Sequence, residues 1–202
     1  NFGKAYGEEG LEYGIDVLLG PAMNIHRNPL CGRNFEYFSE DPLLAGWMAA
    51  GEINGIQSNG VGTSVKHFAT NNQETQRVVN DARLSTRALR EIYLRGFEIA
   101  VKNAHPWTIM TAYNTLNGKQ CGENRELIMN ITRGEWGFDG IFMTDFGGLG
   151  WTPAQIAAGN DLVMPGSVYN VQNVINAIND KSLKMADLDY CCKNMLRYIL
   201  KT

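Results

Sequence analysis

The chain has 202 residues and a formal net charge of −3, with 44% apolar and 19% charged side chains. This composition is typical of a globular protein, and the length favours one domain that buries a core without disulfides or metals. Charges of both signs are scattered without a basic block, which argues against nucleic-acid binding. No apolar run approaches the roughly 20 residues that cross a bilayer, so no membrane partner is expected.

The chain begins NFGKAYGEEG, without an initiator Met and without a signal-peptide pattern. We therefore expect a processed chain or a piece of a longer one, and its compartment, cytoplasmic or secreted, stays open. Four cysteines are present, but none has a Cys or His partner at zinc spacing. They are expected to be reduced and partly buried.

Five nearly continuous apolar runs predict parallel strands covered on both faces, at residues 14–22, 62–69, 107–113, 140–146 and 160–165. Amphipathic patterns predict helices over residues 41–60, 85–104, 123–137, 171–180 and 187–201. Two helices carry start or stop signals: Asp41-Pro42 and Gly60 for one, and Ser85 or Thr86 for the other. No hairpin dipeptide is recognised between the strands, which favours βα units.

These elements predict an α/β fold with a parallel sheet. A closed barrel of eight βα units takes about 250 residues. Because only five strands are found in 202 residues, we expect a partial TIM-type (β/α)8 barrel that consists of the later strands and helices. Residues 1–202 are expected to form a single domain, with upstream strands outside this chain.

Polar side chains end four of the five predicted strands. In a parallel barrel the βα loops converge at the carboxyl ends of the strands and build the active site there. In chain order these ends carry Asn24, His26 and Arg27, then Lys66-His67, then Tyr113-Asn114, then Asp145, whereas the fifth strand ends at Met164-Pro165-Gly166. The pattern predicts a functional site at one rim of the sheet.

Asp145 is the foremost candidate because it ends an apolar strand and is followed closely by two glycines. A carboxylate there needs partners to stay ionised, and Arg33, Lys66 and His67 could provide them. The alternative is an N-cap of the next helix. Lys66 could bind sugar hydroxyls or an anion, form a Schiff base as in class I aldolases, or extend to solvent. His67 could also be a core histidine bonded to backbone.

The loop at residues 28–42 is rich in groups that recognise polyols, among them Arg33 and Glu36. Its aromatic residues, Phe35, Tyr37 and Phe38, could stack on a sugar ring or simply pack the loop.

Several other activities lack their motifs. The tripeptide DFG occurs without the remaining kinase motifs, and no GxSxG elbow is present. GVGTS lacks the third glycine of a dinucleotide-binding fingerprint. The three histidines form no HxH or HExxH pattern, which argues against a metal-dependent hydrolase.

Five strings, in this order, resemble glycoside hydrolase family 3, the β-glucosidase type: GIDVLLGPAMNIHRNPLCGRNFEYFSEDP, GVGTSVKHFATNNQET, TAYNTLNG, EWGFDGIFMTDFG and AGNDLVMPG. The resemblance covers about residues 7–201. It implies a TIM-like barrel that is followed by an α/β sandwich domain. It also implies a retaining β-glycosidase that hydrolyses terminal β-linked sugars without a cofactor or metal.

The same resemblance assigns individual residues. Asp145 of TDF would be the nucleophile that forms the glycosyl-enzyme. Arg33 of GRNFE would bind the sugar, with Glu36 orienting it. Lys66 and His67 correspond to the family's Lys-His pair and are expected to bind sugar as well. Tyr113 of AYN is expected close to the nucleophile.

The chain departs from the family pattern at Phe146, where the family usually has Trp, and this alters a wall of the sugar pocket. The string KHFATNN differs from the KHFPGHG of the subgroup that acts on N-acetylglucosaminides, which disfavours that subgroup. The family's general acid/base comes from the sandwich domain and a sugar-binding Asp lies upstream, so both are expected outside this chain.

The expected partners are a β-glucoside or oligosaccharide and a complementing segment or chain that carries the sandwich domain. Two alternatives stay open. One is a non-catalytic, sugar-binding fragment or subunit of such an enzyme. The other is a Schiff-base lyase that uses Lys66.

Overall fold

The computed structural model describes residues 1–202. The helices are α1 (Phe2–Glu12), α2 (Pro42–Gln57), α3 (Thr86–Ala88), α4 (Arg95–Ala104), α5 (Thr152–Ala158), α6 (Val168–Asn179) and α7 (Met185–Ile199). Two π-helical segments, Leu89–Tyr93 and Glu126–Glu135, and two 3₁₀ turns, Asn34–Glu36 and Cys121–Glu123, complete the helical elements. None of these helices combines the length and the apolar character that a membrane span requires.

The strands are β1 (Val17–Leu18), β2 (Gly62–Phe68), β3 (Asp81–Ala82), β4 (Thr108–Thr111), β5 (Thr115–Leu116), β6 (Lys119–Gln120) and β7 (Ile141–Thr144). Four of them form one parallel sheet in the order β1-β2-β4-β7. The crossovers are helical: α2 follows β1, α4 follows β2, and a π-helical segment follows β4. This confirms the predicted α/β fold, a partial (β/α)8 barrel with a parallel sheet.

Two predicted strands are shorter than their apolar runs. The run at residues 14–22 gives only the two residues of β1, and the run at 160–165 gives a single bridge, between Leu162 and Met143. Asp161 turns its carboxylate onto the backbone N–H of Phe142 at 2.7 Å, and Pro165 has no N–H to continue a ladder. The prediction of a full fifth strand was therefore wrong.

A second, smaller sheet, which the apolar pattern does not predict, has the order β3-β5-β6. Its strands β5 and β6 are antiparallel and are joined by Asn117-Gly118, whose φ angles are 49° and 85°. Asn-Gly is the dipeptide favoured where both turn residues need a positive φ. The expectation that no hairpin dipeptide separates the strands was wrong at this position.

The helix signals can be compared with the structure. Asp41 caps α2 by accepting a backbone hydrogen bond at 2.8 Å, and Ser85 rather than Thr86 caps α3. The second helix ends at Gln57, before Gly60, which has a φ of 81°. The helix predicted over 85–104 contains a π-helical segment, the one predicted over 123–137 is mainly π-helical, and α5 was not predicted.

The main core joins apolar side chains of the sheet with those of α2, α4 and the π-helical segment Glu126–Glu135. Phe68 of β2 packs against Phe97 and Phe142, with ring centroids 5.0 and 6.0 Å apart, and all three are almost fully buried. This packing fixes β2 and β7 relative to α4.

The four cysteines are all free thiols. Three of them, Cys31, Cys121 and Cys191, are buried, and Cys192 is exposed.

A buried ion pair ties the helical segment before β7 to the chain that follows it. Nη2 of Arg133 donates to Oδ2 of Asp161 at 2.6 Å, and the two side chains are 7% and 0% exposed. Asp161 also accepts from the backbone N–H of Phe142 at 2.7 Å and from Nδ2 of Asn194 at 2.8 Å. Burial raises the pKa of Asp161 in spite of Arg133. This carboxylate is internal, and both of its oxygens are hydrogen-bonded.

Candidate active site

Three neighbouring strands bring polar side chains to one rim of the sheet. Lys66 and His67 lie near the end of β2, Tyr113 follows β4, and Asp145 directly follows β7. Because these strands are adjacent and parallel, their carboxyl ends meet at the same edge. Nε2 of His67 lies 3.7 Å from Oδ2 of Asp145, so the imidazole and the carboxylate are neighbours.

The carboxylate of Asp145 is 11% exposed. Its Oδ1 accepts a hydrogen bond from the backbone N–H of Phe146 at 2.8 Å, which leaves Oδ2 facing His67. The next helix, α5, has Trp151 as its N-cap. The alternative that Asp145 caps the following helix is therefore wrong.

Glu36 contacts both cations of the site. Nε of Arg33 donates to Oε1 of Glu36, and Nζ of Lys66 lies 3.8 Å from Oε2. The Lys66 side chain is only 17% exposed, so it does not extend into solvent. Burial lowers the pKa of Lys66, while the charges of Glu36 and Asp145 oppose that shift. For Arg33, burial lowers the pKa, but the hydrogen bond to Glu36 and the nearby charges outweigh it and raise the pKa overall.

His67 is buried and tightly held. The side chain of Asn24 bonds both its backbone N–H and its carbonyl at 2.8 Å, and the Tyr37 hydroxyl lies 3.4 Å from Nδ1. Burial first, and then the nearby cations, hold the pKa of His67 well below its ordinary value. The imidazole is therefore neutral near pH 7, and its contact with Asp145 is not an ion pair.

Tyr113 lies on the other flank of Asp145. Its hydroxyl donates to the backbone carbonyl of Phe146, and the guanidinium carbon of Arg77 lies 4.7 Å from the centre of its ring. Burial and the negative charge of Asp145 raise the pKa of Tyr113. The phenol therefore stays protonated beside the carboxylate and can act as a hydrogen-bond donor.

The polar residues that follow β1 have different hydrogen-bond partners, and only one of them contacts the site. Asn24 joins the site by holding the backbone of His67. In contrast, His26 bonds the Asn34 carbonyl at 3.0 Å and Arg27 bonds the Tyr93 hydroxyl at 2.8 Å. These two side chains stabilise the loop and are not bonded to the residues around Asp145.

The aromatic residues of the loop at 28–42 also have different surroundings. Phe35 is 85% exposed, Phe38 packs against the main core, and Tyr37 is buried against His67. The sequence offered polyol recognition, stacking or loop packing for Tyr37, and its contact with His67 was missed.

A polar loop after β2 contributes three further residues, of which Asn71 and Arg77 had no role assigned from the sequence. Asn71 bonds the Tyr37 hydroxyl at 3.2 Å and Glu74 at 3.0 Å, and Arg77 bonds Glu74 at 2.8 Å. No apolar periodicity marks this loop, although Asn71 and Glu74 lie within the string GVGTSVKHFATNNQET that resembles the family. Its link to the site depends on contacts across some 34 residues of sequence, from Tyr37 to Asn71.

The rim thus combines one partly exposed carboxylate with two cations, a neutral imidazole and a phenol. This set suits nucleophilic attack by a carboxylate and hydrogen bonding to several hydroxyl groups of one ligand. The chain contains no group of three or more His, Cys, Asp or Glu side chains close enough to share a metal ion.

Comparison with known proteins places this geometry in a family. The family model "Glycosyl hydrolase family 3 N terminal domain" matches residues 1–198. An exo-α-(1→6)-L-arabinopyranosidase of Bifidobacterium longum is 50% identical, and the match covers 99% of this chain and 26% of that protein. Thermostable β-glucosidase B of Acetivibrio thermocellus is 46% identical, with 98% and 26% covered.

A solved structure shows the same likeness in three dimensions. The structure of β-glucosidase 3B from Thermotoga neapolitana in complex with glycerol is 54% identical, with a TM-score of 0.95 over 98% of this chain and 29% of that chain. The chain spans about a quarter of the length of the curated relatives. Both the resemblance inferred from the motifs and the partial barrel are confirmed, and the chain belongs to glycosyl hydrolase family 3, within the N-terminal domain of that family.

Proposed function

We propose that this chain forms part of the catalytic centre of a retaining β-glycosidase, with Asp145 as the nucleophile. The observation that carries the proposal is the position of the Asp145 carboxylate. It follows β7 directly, is 11% exposed, and keeps one oxygen free of strong hydrogen bonds between His67 and Tyr113. Membership of a glycosidase family supports the reaction class.

In the proposed reaction an oxygen of Asp145 attacks the anomeric carbon of the sugar. The bond from that carbon to the leaving oxygen breaks, and a general acid gives the leaving oxygen a proton. Water then attacks the glycosyl-enzyme, the same residue takes a proton from that water, and the Asp145 carboxylate is released. The Tyr113 hydroxyl, whose single hydrogen is donated to the Phe146 carbonyl, lies on the other flank of the carboxylate.

Arg33, Lys66 and His67 would bind the sugar hydroxyls. Glu36 orients the first two, since it bonds Arg33 and lies 3.8 Å from the ammonium of Lys66. The guanidinium has five N–H donors and can bond a pair of hydroxyls while it remains bonded to Glu36. Neutral His67 can donate to a hydroxyl without bringing a further positive charge to the nucleophile.

The general acid is proposed to lie outside this chain. A retaining enzyme needs its second carboxyl about 5–5.5 Å from the first. Glu36 and Glu74 are paired with cations, Asp41 caps α2, and Glu40 is exposed with Oγ of Ser39 3.4 Å from its Oε2. We therefore propose that residues 1–202 are the later part of the barrel domain of a longer protein, and that a sandwich domain supplies the acid.

The proposed substrate is a terminal β-linked glucoside, because several similar proteins are named β-glucosidases. An α-L-arabinopyranoside is the second candidate substrate, because a relative that is 50% identical to this chain is named an arabinopyranosidase, that of Bifidobacterium longum. A panel of p-nitrophenyl glycosides, with β-D-glucoside and α-L-arabinopyranoside compared by kcat/KM, distinguishes the two.

The mechanism is tested by trapping the intermediate on the longer protein that contains this chain. A 2-deoxy-2-fluoro-β-glucosyl fluoride should inactivate the enzyme, and mass spectrometry of its peptides should place the label on Asp145. A label on another residue would overturn the assignment. Binding without turnover or label would favour the non-catalytic sugar-binding alternative, and borohydride trapping of a carbonyl substrate on Lys66 would favour the lyase.

A further inference from the structure

His67 and Tyr113 flank the proposed nucleophile, and each is held by a residue on its far side. For His67 this residue is Tyr37, whose hydroxyl lies 3.4 Å from Nδ1 and whose side chain is buried. The same hydroxyl lies 3.2 Å from Nδ2 of Asn71 and 3.4 Å from the Asn71 backbone carbonyl. The imidazole is thus in contact with a polar group that has more than one possible partner.

For Tyr113 the holding residue is Arg77. Its guanidinium carbon lies 4.7 Å from the centre of the phenol ring. Nη1 of Arg77 donates to Oε2 of Glu74 at 2.8 Å. Glu74 therefore fixes the cation that covers Tyr113, while the hydroxyl of Tyr113 bonds the backbone next to Asp145.

Asn71 joins the two sides. Its Nδ2 donates to Oε1 of Glu74 at 3.0 Å and to the Tyr37 hydroxyl at 3.2 Å. A primary amide nitrogen carries two hydrogens, so both bonds form at once. The hydrogen bond from Asn71 to Glu74 is called the Asn71–Glu74 bridge below. Oδ1 of Asn71 is buried without a partner, so the bonds of the nitrogen alone orient this amide.

The bridge fixes which atom of Asn71 faces the neighbouring hydroxyl. A carboxylate only accepts hydrogen bonds, so Glu74 requires the amide nitrogen of Asn71, and not its oxygen, on this side. Tyr37 then accepts from Asn71, and its own hydrogen has two acceptors at 3.4 Å, Nδ1 of His67 and the Asn71 backbone carbonyl. When Nδ1 accepts, the proton of the neutral imidazole lies on Nε2, the atom 3.7 Å from Asp145.

We propose that the Asn71–Glu74 bridge is a positioning element for both flanks of Asp145. Through Tyr37 it keeps the proton of His67 on Nε2, and through Arg77 it holds the ring of Tyr113. The inference rests on the proposed function, because it describes how the imidazole and the phenol ring beside the nucleophile are held. The opposite tautomer of His67 would turn an Nε2 lone pair toward the carboxylate.

The tautomer is measured directly by NMR of the longer protein labelled with 15N-histidine, with His67→Asn used to assign the signals. The parent protein should show His67 protonated on Nε2. Tyr37→Phe removes the donor to Nδ1, and Glu74→Gln lets the amide of Asn71 reverse, so both should introduce the form protonated on Nδ1. Glu91→Gln, at an exposed pair with Arg87, is the matched control and should change nothing.

Protonation of His67 on Nδ1 in the parent protein would overturn the proposal, and it would mean that the Tyr37 hydroxyl donates to the Asn71 carbonyl instead. The same conclusion follows if neither variant alters the ring signals. This measurement needs no substrate, so it decides the question even if no glycosidase activity is found, an outcome that would refute the proposed function alone.

A double-mutant cycle on kcat tests whether the Asn71–Glu74 bridge positions both His67 and Tyr113. Tyr37→Phe and Arg77→Met should each lower kcat by about tenfold, since small displacements of groups near the chemistry are costly. Because both act through the same bridge, the double variant should lose clearly less than the product of the two effects. Multiplicative losses would show two independent flanks and would overturn the proposal. Combining either variant with Glu91→Gln should add no further loss.

Discussion

Two arginine–carboxylate pairs in this chain have opposite surroundings. The pair of Arg133 and Asp161 is internal, with side chains 7% and 0% exposed, and Asp161 accepts three hydrogen bonds. The pair of Arg33 and Glu36 lies at the rim, with both side chains 21% exposed. Beside it, Lys66 makes only a 3.8 Å ion pair with Glu36.

The difference shows how similar residues take on different tasks. Asp161 is 0% exposed and both of its carboxylate oxygens are hydrogen-bonded, so its pair with Arg133 holds β7 to the segments around it rather than binding a ligand. A buried pair of this kind costs desolvation energy, and it becomes strongly unfavourable when one partner is removed. The rim cluster keeps donors of Arg33 and Lys66 open. Changes at the rim should therefore affect activity, and changes at the internal pair should affect stability.

The largest effect is expected at the proposed nucleophile. Asp145→Asn keeps the size and the backbone contact of the side chain but removes the attacking oxygen. We expect kcat on p-nitrophenyl β-glucoside to fall by a factor on the order of 10⁴–10⁶, the range found when members of a catalytic triad are removed. Denaturant unfolding should show an almost unchanged stability. A variant that retains more than a few per cent of the activity would contradict the assignment.

Breaking the internal pair should have the reverse outcome. Arg133→Met leaves Asp161 buried and unpaired, and the free energy of unfolding should fall by about 3–5 kcal/mol. The double variant Arg133→Met with Asp161→Leu should recover part of that loss, because no buried charge remains. Urea denaturation checks both. If Arg133→Met were as stable as the parent, the contrast between the two pairs would fail.

A conservative change at the rim sharpens the contrast. Arg33→Lys keeps the charge but loses the planar group that can bond Glu36 and a sugar at once, so kcat/KM should fall by about 10–100-fold. Stability should change little. The matched control is Arg83→Lys, at an exposed pair with Asp81, and it should leave kcat/KM unchanged. Equal effects from both substitutions would remove any special role of Arg33.

The smallest effect concerns pH. The pKa of His67 is held well below its ordinary value in the folded protein, whereas an unfolded histidine titrates near 6.5. Between these two values the unfolded state binds more protons, so stability falls as the pH drops below about 6.5. The slope can reach about 1.4 kcal/mol per pH unit. His67→Asn should reduce this slope of unfolding free energy against pH, while His105→Asn, at an exposed position, should not.

The strand ends at the site were predictable because four of the five apolar runs carry polar residues at their carboxyl ends. Lys66, His67 and Asp145 follow from that pattern together with the convergence of loops in a parallel barrel. Glu36 and Arg33 are three residues apart, and such a local pair can be anticipated from the sequence.

Other features depend on contacts that no local pattern records. Tyr37 meets His67 across 30 residues, and Asn71 and Arg77 lie in a polar loop without periodicity. The Asn117-Gly118 turn was readable in principle, but its strands have two residues each and therefore show no alternation. The run at 160–165 looked like a strand because it is apolar, although its backbone joins β7 at only one bridge.

The backbone contacts of Phe146 have a consequence for enzyme engineering. Its N–H bonds Asp145 and its carbonyl accepts from Tyr113, while its side chain is 56% exposed. A saturation library at this one position would change the surface beside the nucleophile while retaining both backbone hydrogen bonds. Substrate preference could then be selected separately from the placement of the attacking oxygen, which makes residue 146 the natural first position for directed evolution.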